Sequence, residues 1–212
     1  MANMAFAPPQ KKIVDITTDE QYEDYLYRCL SGPSSKRYRK RIEYLQRAIP
    51  VGFHKKLLLS NGEPVGTIEY APAESSYYPI RGDNIIVMNC IWVLRKVKGH
   101  NLGAFLVQDM VSSEKHASGF ATVALENHWS PWFRKWQMER LGFNPLKSIT
   151  VTHKAKPNRG AFSIYLMWMP NRPDVNPPVW NPAELLEGIT CCTAHPLYHP
   201  QTFAQAQILA KR

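Results

Sequence analysis

The chain has 212 residues, 44% of them hydrophobic and 20% charged, and a formal net charge of +9. This suits one domain with extensions and a core that needs no staples, and it excludes disordered, collagenous and disulfide-scaffold classes. No stretch approaches the roughly 20 apolar residues of a membrane span, the first residues carry no basic-then-apolar signal, and the four cysteines are expected as reduced thiols in a cytoplasm. The positive balance suits an anionic ligand, and it suits nucleic acid too.

Lys11 to Ile16 reads as a first strand. Thr17 with Glu20 and Thr18 with Gln21 form two overlapping capping boxes, so a helix is expected with Tyr22, Tyr25, Leu26, Cys29 and Leu30 on one stripe. Ser31-Gly32-Pro33-Ser34 breaks it. A second helix, Ser35 to Ile49, buries Tyr38, Ile42, Leu45 and Ile49, and Lys36, Arg37, Arg39, Lys40, Arg41 and Arg47 form its basic face. That face is either solvated surface or an attractor for an acidic ligand. Asn61-Gly62 between two apolar runs predicts a hairpin of His54 to Ser60 with Pro64 to Tyr70, because both turn residues need positive φ. Ala71 to Asn84 is expected as a polar loop.

Ile85 to Leu94 is almost continuously apolar and rich in β-branched residues, as a strand covered on both faces should be. Lys98-Gly99-His100-Asn101-Leu102-Gly103 follows, then an amphipathic helix with Leu102, Phe105, Leu106 and Met110 on one face. A flexible loop leading into a helix N-terminus offers free N–H groups and the positive end of the dipole, a ready phosphate site. Phe120 to Glu126 is a short strand and Trp129 to Leu141 a helix closed by Gly142. Ile149 to Lys154 and Ala161 to Met169 make a last hairpin.

The stretch from Val87 to Ala104, running on to Met110, resembles motif A of the GCN5-related N-acetyltransferase (GNAT) family, Gln/Arg-x-x-Gly-x-Gly/Ala after the fourth strand. Lys98 stands at the first position, Asn101 at the fourth and Gly103 at the sixth. Lys98 keeps the charge of the family residue but not its fork, and Asn101 tolerates left-handed backbone in place of Gly. Val93 falls where the family places a strand Val, and Arg140-Leu141-Gly142-Phe143 resembles the family's x-Leu-Gly-Phe ending. Asn89-Cys90-Ile91-Trp92-Val93, a Pro-rich crossing and a later Cys-containing strand also resemble a microbial subgroup of predicted acetyltransferases.

The resemblance implies an α/β (α+β) fold: a central mixed, mostly antiparallel sheet with about four helices. The acetyltransferase domain would span residues 11–169, with a Pro-rich crossing and strand/helix extension over 170–212. It implies acetyl-coenzyme A as co-substrate and transfer to a primary amine, on a small molecule or protein, by direct attack in a ternary complex. The fourth and fifth strands should splay, leaving the backbone of Ile91, Trp92 and Val93 to the pantetheine arm. Gly99 to Ala104 (Gly99, His100, Asn101, Leu102, Gly103 and Ala104), with Lys98, should take the pyrophosphate, and Asn127 is a further coenzyme contact. Gly103 costs about 1 kcal/mol against Ala in a first helical turn, which fits something packed against it or a close helix–sheet approach. Met138 stands where many family members place a Tyr acid. Glu126 and His128, at the end of the fifth strand, are the candidate bases, with Glu69 a further one.

In the tail, Cys191, Cys192, His195 and His199 carry ligand-type side chains. Adjacent cysteines rarely reach one tetrahedral ion and two prolines interrupt the histidine spacing, so no metal is expected. A final helix is expected over Gln201 to Lys211, packed on the body or a second subunit. An exchanged C-terminal strand would give a route to a homodimer. The alternatives from other classes are a non-catalytic coenzyme A or acyl-coenzyme A binding protein, and an RNA- or protein-binding module using the basic second helix. Nucleic acid is the less favoured partner.

Overall fold

The computed structural model describes residues 10–30, 38–154, 156–198 and 209–211. The predicted hairpin is the clearest local feature. Asn61 (φ 51) and Gly62 (φ 83) are both left-handed, and they join β2 (His54–Ser60) to β3 (Glu63–Pro72) with Ser60 opposite Glu63. β1 (Lys11–Asp15) lies on the outer side of β2. The apolar run becomes β5 (Ile85–Val93), antiparallel to β3. β6 (Gly119–Glu126), β7 (Asn144–His153) and β8 (Ala161–Pro170) extend the sheet.

Among the described residues the main sheet has the order β1-β2-β3-β5-β6-β8-β7-β10, where β10 is Leu209–Lys211. Every pairing is antiparallel except that of β5 with β6. The single parallel pairing follows from the crossover through α3 (Leu102–Ser113), since parallel neighbours need a long connection. α3 covers one face, packing Leu106 and Met110 on Leu58, Ile68 and Met88. α4 (Lys135–Arg140) adds Met138 to that layer. The opposite face carries two further cores. α1 (Glu23–Leu26) and α2 (Arg39–Ala48) cover β2 and β3 there with Leu26, Leu45 and Ala48. α5 (Pro182–Glu187) and the residues after it cover β6 and β8 with Leu185, Ile189 and Leu197.

Several sequence expectations change. The first helix shrinks to one 3-10 turn and the four residues of α1, because Asp19 takes the Gln21 amide (3.0 Å) while Thr17 is spent on Asp15. Residues 35–37 of the second helix lie outside the described residues, and Arg41, assigned to its solvent face, turns inward and is buried. The expected helix from Trp129 is only α4, since local bonds win before it. Ser130 N–H donates to His128 Nδ1, Trp132 N–H to Ser130 Oγ, and the left-handed Phe133 (φ 47) gives its carbonyl to the Leu125 amide at 2.6 Å. The loop from Ala71 to Asn84 holds a strand, β4 (Ile80–Arg81), which pairs with β9 (Val179–Trp180) and so docks the Pro-rich crossing. Residues 201–208 of the expected final helix lie outside the described residues. Leu209–Lys211 are a strand on the outer edge of β7, which they cover.

Candidate active site

β5 and β6 pair only from Ile85↔Gly119 to Val87↔Ala121. Beyond that rung they part, and Thr122 reaches the Met88 carbonyl with its hydroxyl (2.8 Å) rather than through a ladder bond. Asn89 is an extra residue on β5, because Met88 faces Tyr70 and Cys90 faces Glu69. The bulge frees the Asn89 carbonyl, which accepts from Tyr77 Oη (2.6 Å) and Tyr78 Oη (3.2 Å). Above the bulge, Leu94 N–H bonds Val65 O on β3. Strand alternation then turns the Trp92 peptide groups toward β3 and those of Ile91 and Val93 toward the opening. Of the three residues expected to meet a pantetheine arm, two therefore present backbone to the gap.

The opening leads to the N-terminus of α3. Gly99 (φ 88) and Asn101 (φ 55) are left-handed, so the Asn in the motif adopts the backbone a Gly would. The Asn101 side chain makes no capping bond, and the first-turn amides of Leu102, Gly103 and Ala104 have no intrahelical acceptor. A Cβ on Gly103 would meet only Leu141 Cδ2 at 3.7 Å, an ordinary contact. Neither backbone conformation nor helix–sheet packing therefore requires Gly103. Arg95, Lys96, Lys98 and His100 are exposed around this turn, and among the described residues none of the three long cations pairs with a carboxylate. His100 Nδ1 contacts the Val97 carbonyl at 3.2 Å.

The proposed bases fare differently. Glu126, at the open end of β6, accepts from Tyr165 Oη (2.7 Å) and Lys135 Nζ (3.2 Å), and these two groups, Tyr165 first, hold its carboxyl below the usual range. Asn127 is exposed and left-handed (φ 62) beside it. His128 is buried at 8% exposure between Trp129, His153 and Phe162. Its Nδ1 accepts the Ser130 amide, and burial, with His153 and Lys156, pushes its pKa down to about 4. A general base near neutral pH needs an accessible lone pair, and His128 has none to offer. Glu69 is buried against Arg41 (2.8 and 2.9 Å) and Lys55 (2.8 Å). Burial would raise its carboxyl, but the two cations outweigh it and hold it at about 2. It is a structural anion, not a base.

Across the opening from the α3 turn stand aromatic residues from β5, from the segment after β6, from the loop before β5 and from the tail. Trp92 and Trp132 stack at 5.0 Å, one from β5 and one from the segment after β6. His195 lies 6.0 Å from Trp132 and 5.7 Å from both Phe133 and Tyr78. Its Nδ1 accepts the Leu197 amide, and burial pushes its pKa to about 3, so the neutral ring carries its proton on Nε2 and donates to Tyr78 Oη at 2.6 Å. Tyr78 is then free to donate to Asn89. The adjacent tyrosines in an otherwise polar loop were the signal available beforehand. Trp136 is 51% exposed and Met138 is buried. Cys191 and Cys192 are buried, His199 lies outside the described residues, and no three metal-ligating side chains cluster among the described ones.

No protein-family model matches the sequence, and no curated protein matches it. Solved structures do. A Desulfovibrio desulfuricans protein assigned to the GNAT family of acetyltransferases superposes with TM-score 0.53 at 11% identity, over 77% of this chain and 100% of its own. The ribosomal-protein-S18-alanine N-acetyltransferase of Escherichia coli gives 0.52 at 14% identity, over 77% and 96%. Ard1 from Thermoplasma volcanium gives 0.51 at 13% identity, over 76% and 97%. The mixed sheet, its single parallel splay and the helix at the splay's mouth are thus the fold of the GNAT acetyltransferases.

Proposed function

We propose that the protein transfers an acetyl group from acetyl-coenzyme A to a primary amine, by direct attack in a ternary complex. The observation that carries this reading is the opening between β5 and β6, which runs onto the uncapped first turn of α3 among unpaired cations. The amides of Leu102, Gly103 and Ala104, with Lys98 and Arg95, would hold the pyrophosphate. The space in front of Gly103 fits such a group. The peptide groups of Ile91 and Val93 would bind the pantetheine arm as a strand binds a sheet edge. Acetyl-coenzyme A supplies the activated thioester.

The chain's own residues orient and polarise. An amide at the open edge of β5 would donate to the thioester carbonyl where negative charge develops. Glu126 Oε1 and Oε2 would hold the incoming ammonium and take its proton, with Lys135 and Tyr165 fixing the carboxylate. The buried thioether of Met138 donates no proton, but a thiol with pKa near 8.5 leaves without a strong acid. The nucleic-acid alternative loses ground, because Arg41 is buried and both Arg39 and Lys40 pair with Glu43.

Calorimetric titration with acetyl-coenzyme A tests the site. The wild type should bind in the micromolar range, and Gly103→Trp, folded by circular dichroism, should not bind. A folded wild type that fails to bind overturns the proposal. Binding without thiol release across an amine panel would leave a coenzyme-binding protein rather than an enzyme.

A further inference from the structure

Cys29 and Cys192 are 163 positions apart in sequence, yet their Sγ atoms lie 3.9 Å apart. Both elements are pinned. On the α1 side, Arg41 donates to the Leu26 carbonyl (3.3 Å) and Lys55 to the Arg28 carbonyl (2.8 Å). The loop 189–198 is closed on itself by Ile189 N–H to Leu197 O (2.9 Å) and His195 N–H to Cys192 O (3.2 Å). Tyr38 Oη donates to the Thr190 carbonyl at 2.6 Å and ties this loop to the start of α2. The sulfur contact is therefore held from both sides. No other cysteine pair is in hydrogen-bond contact among the described residues.

We propose that Cys29 and Cys192 are a redox-active dithiol, closed into an intramolecular disulfide by a low-molecular-weight disulfide. Cys29, the thiol an oxidant can reach, gives its proton to the neighbouring Cys192 sulfur and attacks one sulfur of the oxidant, forming a mixed disulfide and releasing one thiol. Cys192 then loses its proton and attacks the Cys29 sulfur, releasing the second thiol. The Cys29–Cys192 bond forms as the oxidant is reduced to two thiols, which carry away the two protons. The sulfurs need to close from 3.9 Å to about 2.05 Å. The S–H of Cys29, donated to Cys192, draws that thiol below its usual range and pushes Cys29 up, and the Arg41 charge favours the Cys192 thiolate as well. Cys29 is only half-buried, which gives a small oxidant its approach. The bond would staple loop 189–198 onto the end of α1. His195, three residues beyond Cys192, would then be fixed against Tyr78 and Trp132 on the wall of the opening.

The test uses the full reduced chain incubated with glutathione disulfide, alkylated and digested without reductant. The expected product is a protein lighter by two hydrogens, with one cross-link joining the Cys29 and Cys192 peptides and reversed by dithiothreitol. Its thermal midpoint should lie several degrees above that of the reduced protein. Cys191→Ser and Cys90→Ser should still form it, while Cys192→Ser should stop at the glutathione adduct on Cys29. A cross-link through Cys90 or Cys191, adducts without closure in the wild type, or reaction only in urea would each overturn the assignment.

Discussion

Glu69 offers the sharpest test of what holds α1 and α2 to the sheet. Its carboxylate meets Lys55 across the β2–β3 pair and Arg41 from α2, and all three are at most 5% exposed. The same cations donate to the Leu26 and Arg28 carbonyls, so one anion organises the end of α1, α2 and two strands. Glu69→Gln would leave two buried cations with no counter-charge. Breaking a buried pair from one side costs about 3–5 kcal/mol, a large part of the roughly 5–15 kcal/mol that stabilises a domain. The titration gives a second route. The folded carboxyl sits at about 2 against 4.5 for a free glutamate side chain, and at about 1.36 kcal/mol per unit that is about 3 kcal/mol. A carboxyl lowered in the folded state adds stability above its unfolded pKa and loses it as pH falls through the folded value. The wild-type advantage should therefore be full at pH 7 and shrink from about pH 5 toward pH 2. Urea unfolding followed by tryptophan fluorescence at pH 7, 5 and 3 measures it. A variant within about 1 kcal/mol of wild type at pH 7, or a difference that ignores pH, would refute the reasoning. The triple variant Arg41→Met, Lys55→Met, Glu69→Leu should recover part of the loss, but not all, because the Leu26 and Arg28 carbonyls lose their donors.

Four further outcomes follow from the site. Lys98→Glu should weaken acetyl-coenzyme A binding by about tenfold or more in titration calorimetry, with the effect shrinking at high salt, because it reverses a charge beside the helix N-terminus. Glu126→Gln should lower kcat/KM for the amine by about tenfold or more while leaving coenzyme affinity unchanged, if this carboxylate holds and deprotonates the acceptor. His128→Phe should retain activity. The variant should also lose less stability than wild type on acidification between about pH 6.5 and 4, where the unfolded histidine binds a proton that the buried one, at about 4, refuses. Trp132→Ala should change the ranking of amines more than the affinity for coenzyme, measured as thiol release across an amine panel, since Trp132 stacks on Trp92 and lies beside His195 at the opening.

The sheet was largely legible in the sequence because its signals are local and strong. Asn61-Gly62 permits little but a tight hairpin, and the run from Ile85 is too apolar to be anything but a covered strand. Asn101 marked the helix entry for the same reason: left-handed backbone leaves a trace in residue type. What escaped depends on contacts between distant parts of the chain. His128 looks like a neutral-pH base until Trp129, His153 and Phe162 are packed around it. Arg41 belongs to a basic stripe by spacing and becomes a buried ion only because Glu69 lies beneath it. Trp129 to Phe133 lead straight into the helix formers of α4, yet Ser130 and His128 offer their backbone other partners.

The two faces of the opening also differ in what kind of argument can reach them. On the α3 face, the fold likeness and the local chemistry agree: a bare helix turn, free cations and open strand edges recur wherever a phosphate-bearing ligand is held. The rest of the wall is made from Tyr77, Tyr78, Trp132 and the loop 189–198. The structures that share this fold are 11–14% identical to this chain, and a likeness of fold at that level carries no acceptor. The acceptor must be read from this wall's own chemistry, which is aromatic and closed. His195 spends its one proton on Tyr78, Tyr78 spends its own on Asn89, and the stacked indoles of Trp92 and Trp132 stand beside them. Such a wall discriminates by shape and by contact with π faces rather than by charge. Selectivity among amines should therefore respond to Trp132 and His195, whereas the cationic loop before α3 should govern the coenzyme alone.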